Sequence, residues 1–158
     1  MQIDTTTLVA QPFLKGLSRQ QLDLLFSNSM PVEFPEGESI FREGQLANRF
    51  YLILEGEVAL ESAAREKDGD PDLIQTIGAG DVLGWSWLFP PYYWHFDARA
   101  VKSTKAIFIY GTRLRESCEE NHDLGYELMK RISEIVIKRL QATRRRLFEQ
   151  GKNLLVPM

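Results

Sequence analysis

The chain has 158 residues and a mass of 18.2 kDa; 44% of it is hydrophobic, 26% is charged, and its formal net charge is −3. That is the size of one domain with room for an appended element, large enough to bury about two-thirds of its unfolded surface without covalent staples. Its single cysteine, Cys118, excludes an internal disulfide, and with only His95 and His122 beside it no zinc cage is expected.

Residues 1–7 are polar and acidic rather than basic and then apolar, so no targeting leader is expected and the chain reads as cytoplasmic. Ser18-Arg-Gln-Gln21 fits a capping box, which predicts a short helix carrying Leu22, Leu24, Leu25 and Phe26. After Pro31 the texture changes to short apolar runs at 32–34, 39–42, 49–54, 57–61, 73–77, 97–103 and 105–110. Glu36-Gly37, Glu43-Gly44, Glu55-Gly56 and residues 67–71 and 78–81 separate them. Many short strands with turn chemistry between them predict an antiparallel barrel or sandwich. The Lys-Asp-Gly-Asp-Pro run at 67–71 is expected to be an exposed hairpin tip.

Residues 78–96 stand apart. They hold all three tryptophans, and their stretch 82–96 is the longest without Lys, Arg, Asp or Glu. At fifteen residues broken by Pro90-Pro91 it is too short for a membrane helix, which wants about 20, so no membrane partner is expected. Two readings of this segment compete. Its aromatics plug the body behind a glycine turn, or they wall a pocket whose floor is a short helix after Gly84 with amides able to cradle an anion.

The last third turns helical. Residues 112–119 form a short helix candidate, and Asn121 is placed to cap a longer one. Met129, Ile132, Val136, Leu140, Thr143 and Leu147 advance by three or four, and neither glycine nor proline interrupts 126–150. A helix of about 37 Å is longer than so small a body covers, so it is expected to pair with its own copy through Met129, Ile132, Val136, Leu140 and Thr143. Residues 1–129 carry 11 Lys and Arg against 20 Asp and Glu, whereas 130–158 carry 8 against 2. Only the tail attracts phosphate, which argues against a body-wide nucleic-acid surface. Arg144, Arg145 and Arg146 also suit the negative end of a helix.

No catalytic signature is present: there is no nucleophile elbow, no His-Glu-x-x-His and no phosphate loop. Cys118 lies among Glu116, Glu119 and Glu120, which blunt it as a nucleophile. No enzyme and no catalytic residue are expected.

The order of motifs resembles the cyclic-nucleotide-binding domain, in particular the sensor half of bacterial regulators of the catabolite-activator and fumarate–nitrate type. Pro12-Phe-Leu-Lys-Gly-Leu-Ser18 is similar to the family's helical lead-in. Phe34-Pro-Glu-Gly-Glu-Ser-Ile-Phe-Arg-Glu-Gly44 resembles its first turn, Phe50-Tyr-Leu-Ile-Leu-Glu-Gly-Glu-Val58 its strand–turn–strand, and Ile77-Gly-Ala-Gly-Asp-Val-Leu-Gly84 its approach to the phosphate-binding cassette. The resemblance implies a mainly β fold with flanking helices: an antiparallel, jelly-roll-like β-barrel followed by a long C-terminal helix. It implies a sensor domain over residues 1–120, a dimerisation helix over 121–150 and a tail over 151–158. The cassette positions by resemblance are Gly84, Trp85, Ser86, Trp87, Leu88, Trp94 and His95.

The cassette departs from the family's pattern. Ligand-binding members have a glutamate for the ribose after the cassette glycine, where this chain has Trp85. Their phosphate-pairing arginine falls on Trp94, or on His95 with a shifted gap. Arg99 lies between Ala98 and Ala100, and strand alternation turns it outward if those two point in. The expectation is a non-enzymatic regulatory domain, a homodimer, on which a cyclic nucleotide binds weakly. A sensor of another small ligand in the tryptophan-rich segment and an interaction module with a plugged pocket stay open. Family transcription factors continue into a helix-turn-helix reader, so this chain alone is not expected to read DNA sequence.

Overall fold

The computed structural model describes residues 10–65 and 71–149. In chain order these form α1 (Arg19–Phe26), β1 (Ser29–Phe34), β2 (Ser39–Phe41), β3 (Arg49–Glu55), β4 (Glu57–Arg65), β5 (Pro71–Gly78), β6 (Val82–Leu83), β7 (Asp97–Ala100), β8 (Thr104–Tyr110), α2 (Gly111–Glu120) and α3 (His122–Glu149). Single 3-10 turns at Pro12–Leu14 and Ser86–Leu88 precede α1 and β7. The expected hairpin tip at 67–71 falls, except for Pro71, outside the described residues, as do residues 1–7 and the tail 151–158.

The strands pair into two four-stranded antiparallel sheets, ordered β1-β8-β3-β6 and β2-β7-β4-β5. The closed barrel expected from the sequence does not form: among the described residues no ladder joins the two sheets. One edge of each sheet is too short to zip: β6 has two residues and β2 has three with a register shift between Ser39 and Phe41. β1 begins at Ser29, ahead of Pro31, because it is an edge strand and a missing N–H there forfeits no ladder bond.

β3 is buried on both faces, which is why Phe50–Leu54 reads as a continuous apolar run. Tyr51 and Ile53 pack with Val58, Leu60, Ile77, Ala98 and Ala100 between the sheets. Phe50 and Leu52 pack on the other side with Leu14, Leu25, Leu114, Leu124, Leu128 and Ile132 of the helical elements. The capping box of α1 is made in both directions: the Gln21 amide donates to Ser18 Oγ at 3.1 Å and the Ser18 amide to Gln21 Oε1 at 2.8 Å.

The 28 residues of α3 run about 42 Å. Asn121 precedes it, yet its side chain donates backward to Ser117 O at 3.1 Å and so ties off α2. The first half of α3 docks through Leu124, Leu128 and Ile132. Arginines hold it as well, from beside Ile132 to its last turn: Arg131 Nη1 donates to Phe13 O and Arg139 Nη2 to Val82 O, each at 2.6 Å, and Arg146 Nη1 donates to Ile74 O. The body therefore accompanies the helix into its last turns, contrary to the expectation from length. Among the described residues no helix is long and apolar enough to cross a membrane.

Candidate functional site: the tryptophan cassette and the cavity beside the C-terminal helix

The segment between β6 and β7 is built around Gly84. Its φ of +86° lies in the left-handed region, and a Cβ there would stand 2.8 Å from Trp94 Cη2. Only glycine gives both the turn and the room for the indole. Trp94 is 1% exposed and stacks on Phe41 with ring centroids 3.8 Å apart and planes 8° from parallel. Its backbone is pinned at both ends: its amide donates to Gln45 O at 3.0 Å and its carbonyl accepts from the Gly44 amide at 2.9 Å. Trp94 is thus a core residue between the sheets, with Ile40, Ala47 and Leu83 in the same cluster.

Trp87 is buried on the other side. It meets Phe50 edge-on at 5.7 Å, its carbonyl accepts from Arg115 Nη1 at 2.7 Å, and Gly111 leaves it space, since a Cβ there would lie 2.6 Å from Trp87 Cβ. The short helix expected after Gly84 is one 3-10 turn, Ser86–Leu88, whose closing bonds use the Leu88 and Phe89 amides on Trp85 O and Ser86 O. Those two amides are spoken for, and the turn is too short to supply an anion cradle. Ser86 is buried, Leu88 is half-buried against the helical core, and His95 is exposed.

Trp85 is the cassette residue that meets α3. Half-buried, it meets Phe96 edge-on at 6.3 Å and carries the Arg139 guanidinium over its ring at 4.4 Å. Stripping water from Arg139 pulls its pKa down to about 10 against the opposing field of Asp81, so it stays charged at neutral pH. Beside this contact lies a cavity of about 310 Å³, lined among others by Gln75, Ile77, Val82, Ile135 and Arg139.

Reading the sequence missed Gln75 and the role of Arg139, which counts there only among the basic residues of 130–158. The signal was present. Arg131, Arg139 and Arg146 are eight and seven residues apart and continue the helical phase of Leu128, Ile132 and Ile135, the face that turns to the body. Arg99 points out, as Ala98 and Ala100 imply, and is bound to buried Glu61 through Nε at 3.1 Å and Nη2 at 3.2 Å. Arg49, at the start of β3, hydrogen-bonds Tyr51, whose phenol burial pushes above its ordinary pKa.

The predicted helix-pairing residues divide. Ile132 is 0% exposed inside the chain's own core, one helical step around from the stripe it was assigned to. Met129, Val136 and Leu140 are exposed, Thr143 is half-buried, and Tyr126 extends the stripe.

Four similarities bear on this site. The family model of the cyclic nucleotide-binding domain matches residues 31–121. A protein of Geobacter metallireducens GS-15 described as cyclic nucleotide-binding is 32% identical with a TM-score of 0.78, over 88% of this chain and 99% of that one. The CRP-like cAMP-activated global transcriptional regulator of Mycobacterium tuberculosis is 25% identical over 133 residues, 84% of this chain, which spans 57% of that regulator's length. The regulatory subunit of a cAMP-independent protein kinase A from Trypanosoma cruzi, solved bound to guanosine, is 26% identical with a TM-score of 0.62, over 73% of this chain and 40% of that one.

Proposed function

The chain belongs to the cyclic nucleotide-binding domain family, and from that membership we propose that it is a non-enzymatic regulatory domain whose cassette has lost its grip on a cyclic phosphate and whose ligand is a phosphate-free, nucleoside-sized molecule. The observation that carries the reading is Trp94: the position that resembles the family's phosphate-pairing arginine is an indole stacked on Phe41 in the core. Trp85 replaces the ribose-binding glutamate, and its ring is engaged by Arg139. Arg99 is committed to Glu61.

Each missing charged hydrogen bond is worth roughly 1.5–3 kcal/mol. Losing both costs about 3–6 kcal/mol, on the order of a hundredfold to more than ten-thousandfold in affinity. Stacking on tryptophan returns about 1–3 kcal/mol, less than the loss. The cavity beside Arg139 supports a remaining small-ligand site, and the guanosine-bound kinase subunit supports a ligand without a cyclic phosphate. A plugged interaction module is the second reading, favoured by the burial of Trp87 and Trp94.

The same proposal takes residues 1–120 as the sensor, 121–150 as a dimerisation helix and the cytoplasm as the location. The exposed residues Tyr126, Met129, Ser133, Val136 and Leu140, with half-buried Thr143, repeat in steps of three and four, the spacing of a two-stranded parallel seam. The absence of catalysis is part of the reading, supported by the Cys118 thiol, which burial and then Glu119 push up to about 11.

Heat-stabilisation across cyclic nucleotides and nucleosides tests it, because a ligand at 100 times its Kd adds about 2.7 kcal/mol. Nucleosides should raise Tm while cyclic AMP and cyclic GMP at equal concentration do not. The reverse ranking would overturn the proposal, and a panel without any shift would favour the plugged module.

A further inference from the structure

The cavity between α3 and the β5–β6 turn holds two polar atoms that the fold leaves unanswered. Arg139 Nη1 and Gln75 Oε1 are both buried, neither has a hydrogen-bond partner, and both residues line that cavity. One is a donor that carries positive charge and the other is an acceptor. Buried polar atoms are almost always paired, so two orphans of opposite type in one cavity call for an explanation. Arg139 is not adrift: its Nη2 is fixed on Val82 O at 2.6 Å and its Cζ lies over the Trp85 ring, 4.4 Å from the centroid, which holds Nη1 in place. Ile77, Val82 and Ile135 supply apolar wall that suits a flat ring, while Asp81, Arg131, Glu134 and Lys138 also line the cavity.

We propose that Arg139 and Gln75 are the specificity residues of this site and read a lactam edge, a ring carbonyl next to a ring N–H, as presented by guanine or hypoxanthine. The inference rests on the reading that the ligand is a nucleoside without a cyclic phosphate. Guanidinium pairs most strongly with the electron-rich O6 and N7 of guanine, and the neighbouring N1–H is the donor that Gln75 Oε1 lacks. Adenine puts an amino group where the carbonyl stands, so its N–H bonds face the arginine's own. A lone carbonyl answers Arg139 and leaves Gln75 unpaired. A lone donor does the opposite and meets a cation. The cavity, at about 310 Å³, is of the size such pockets have for small ligands.

The test is a titration of the full chain with guanosine, inosine and adenosine, followed by intrinsic tryptophan fluorescence because Trp85 touches Arg139. Guanosine and inosine should bind at least tenfold tighter than adenosine. Arg139→Met, which keeps the aliphatic stem, should lose at least tenfold for guanosine and little for adenosine. Gln75→Leu should weaken guanosine and inosine alike. Equal affinity of guanosine and adenosine for the unaltered chain, a comparison that needs no variant to fold, would overturn this assignment and leave the phosphate-free reading standing. An Arg139→Met chain that binds guanosine like the unaltered one would overturn it equally. If none of the three nucleosides binds up to millimolar concentration, the underlying reading falls and the assignment with it.

Discussion

At the scale of single residues, Gly84 and Cys118 give the sharpest expectations. Gly84→Ala forces a side chain into left-handed backbone and puts its Cβ 2.8 Å from the Trp94 ring. Backbone and overpacking costs together amount to about 2–5 kcal/mol. Gly37 has a φ of +90° but nothing within 4 Å of a Cβ, so Gly37→Ala should cost about 1–2 kcal/mol from the backbone alone. Denaturation midpoints of the two variants check this, and equal losses would show that the indole gives way freely. Cys118 tests electrostatics. Its pKa is raised from 9.0 to about 11, so between those values the unfolded chain releases a proton that the folded chain keeps. Stability should therefore be lost as pH rises through that window, by about 1.4 kcal/mol per unit from this group. The difference between the unaltered chain and Cys118→Ala, measured as stability against pH, isolates the effect. A difference that stays flat above pH 9 would contradict it.

At the scale of elements, the two faces of α3 divide substitutions that unfold the chain from those that, on the proposed pairing, separate copies of it. Ile132 is buried at 0% exposure whereas Leu140 is 66% exposed. Ile132→Glu should cost roughly 3–5 kcal/mol, since it buries an unpaired charge, and should lower Tm steeply. Leu140→Glu should leave folding nearly unchanged and turn a dimer into a monomer by light scattering. A monomeric unaltered chain at tens of micromolar would contradict the pairing. The helix itself was legible in the sequence, because apolar steps of three and four without glycine or proline are an unambiguous signal. Its facing was not. Ile132 lies at the border between the two stripes, and only the burial of Leu124 and Leu128 in one core with Leu25 and Leu52 settles which side claims it. β6 escaped notice because two residues carry no periodicity. The 3-10 turn after Gly84 was overread as a helix because a glycine followed by mixed aromatics resembles a helix start. Trp85, Trp87 and Trp94 were seen as a group, but composition cannot say that two of them serve opposite cores.

At the scale of the molecule, the charge imbalance between body and tail has a structural use. Arg131, Arg139 and Arg146 donate to main-chain carbonyls of the lead-in, β6 and β5, and so fasten the helix. Fewer cations are then free for phosphate than the tail's composition implies, and duplex binding by this chain should be weak, salt-sensitive and blind to sequence. Retention of one particular duplex at physiological salt would contradict that. On the proposed reading of the cassette, the family's glutamate position falls on Trp85 and its arginine position on buried Trp94, or on His95 with a shifted gap, and the loss of contacts outweighs what stacking returns. Titration calorimetry of the full chain with cyclic AMP and cyclic GMP tests it most directly. No heat of binding is predicted below about millimolar nucleotide, given a deficit of about 3–6 kcal/mol; a micromolar dissociation constant for either one would contradict the account.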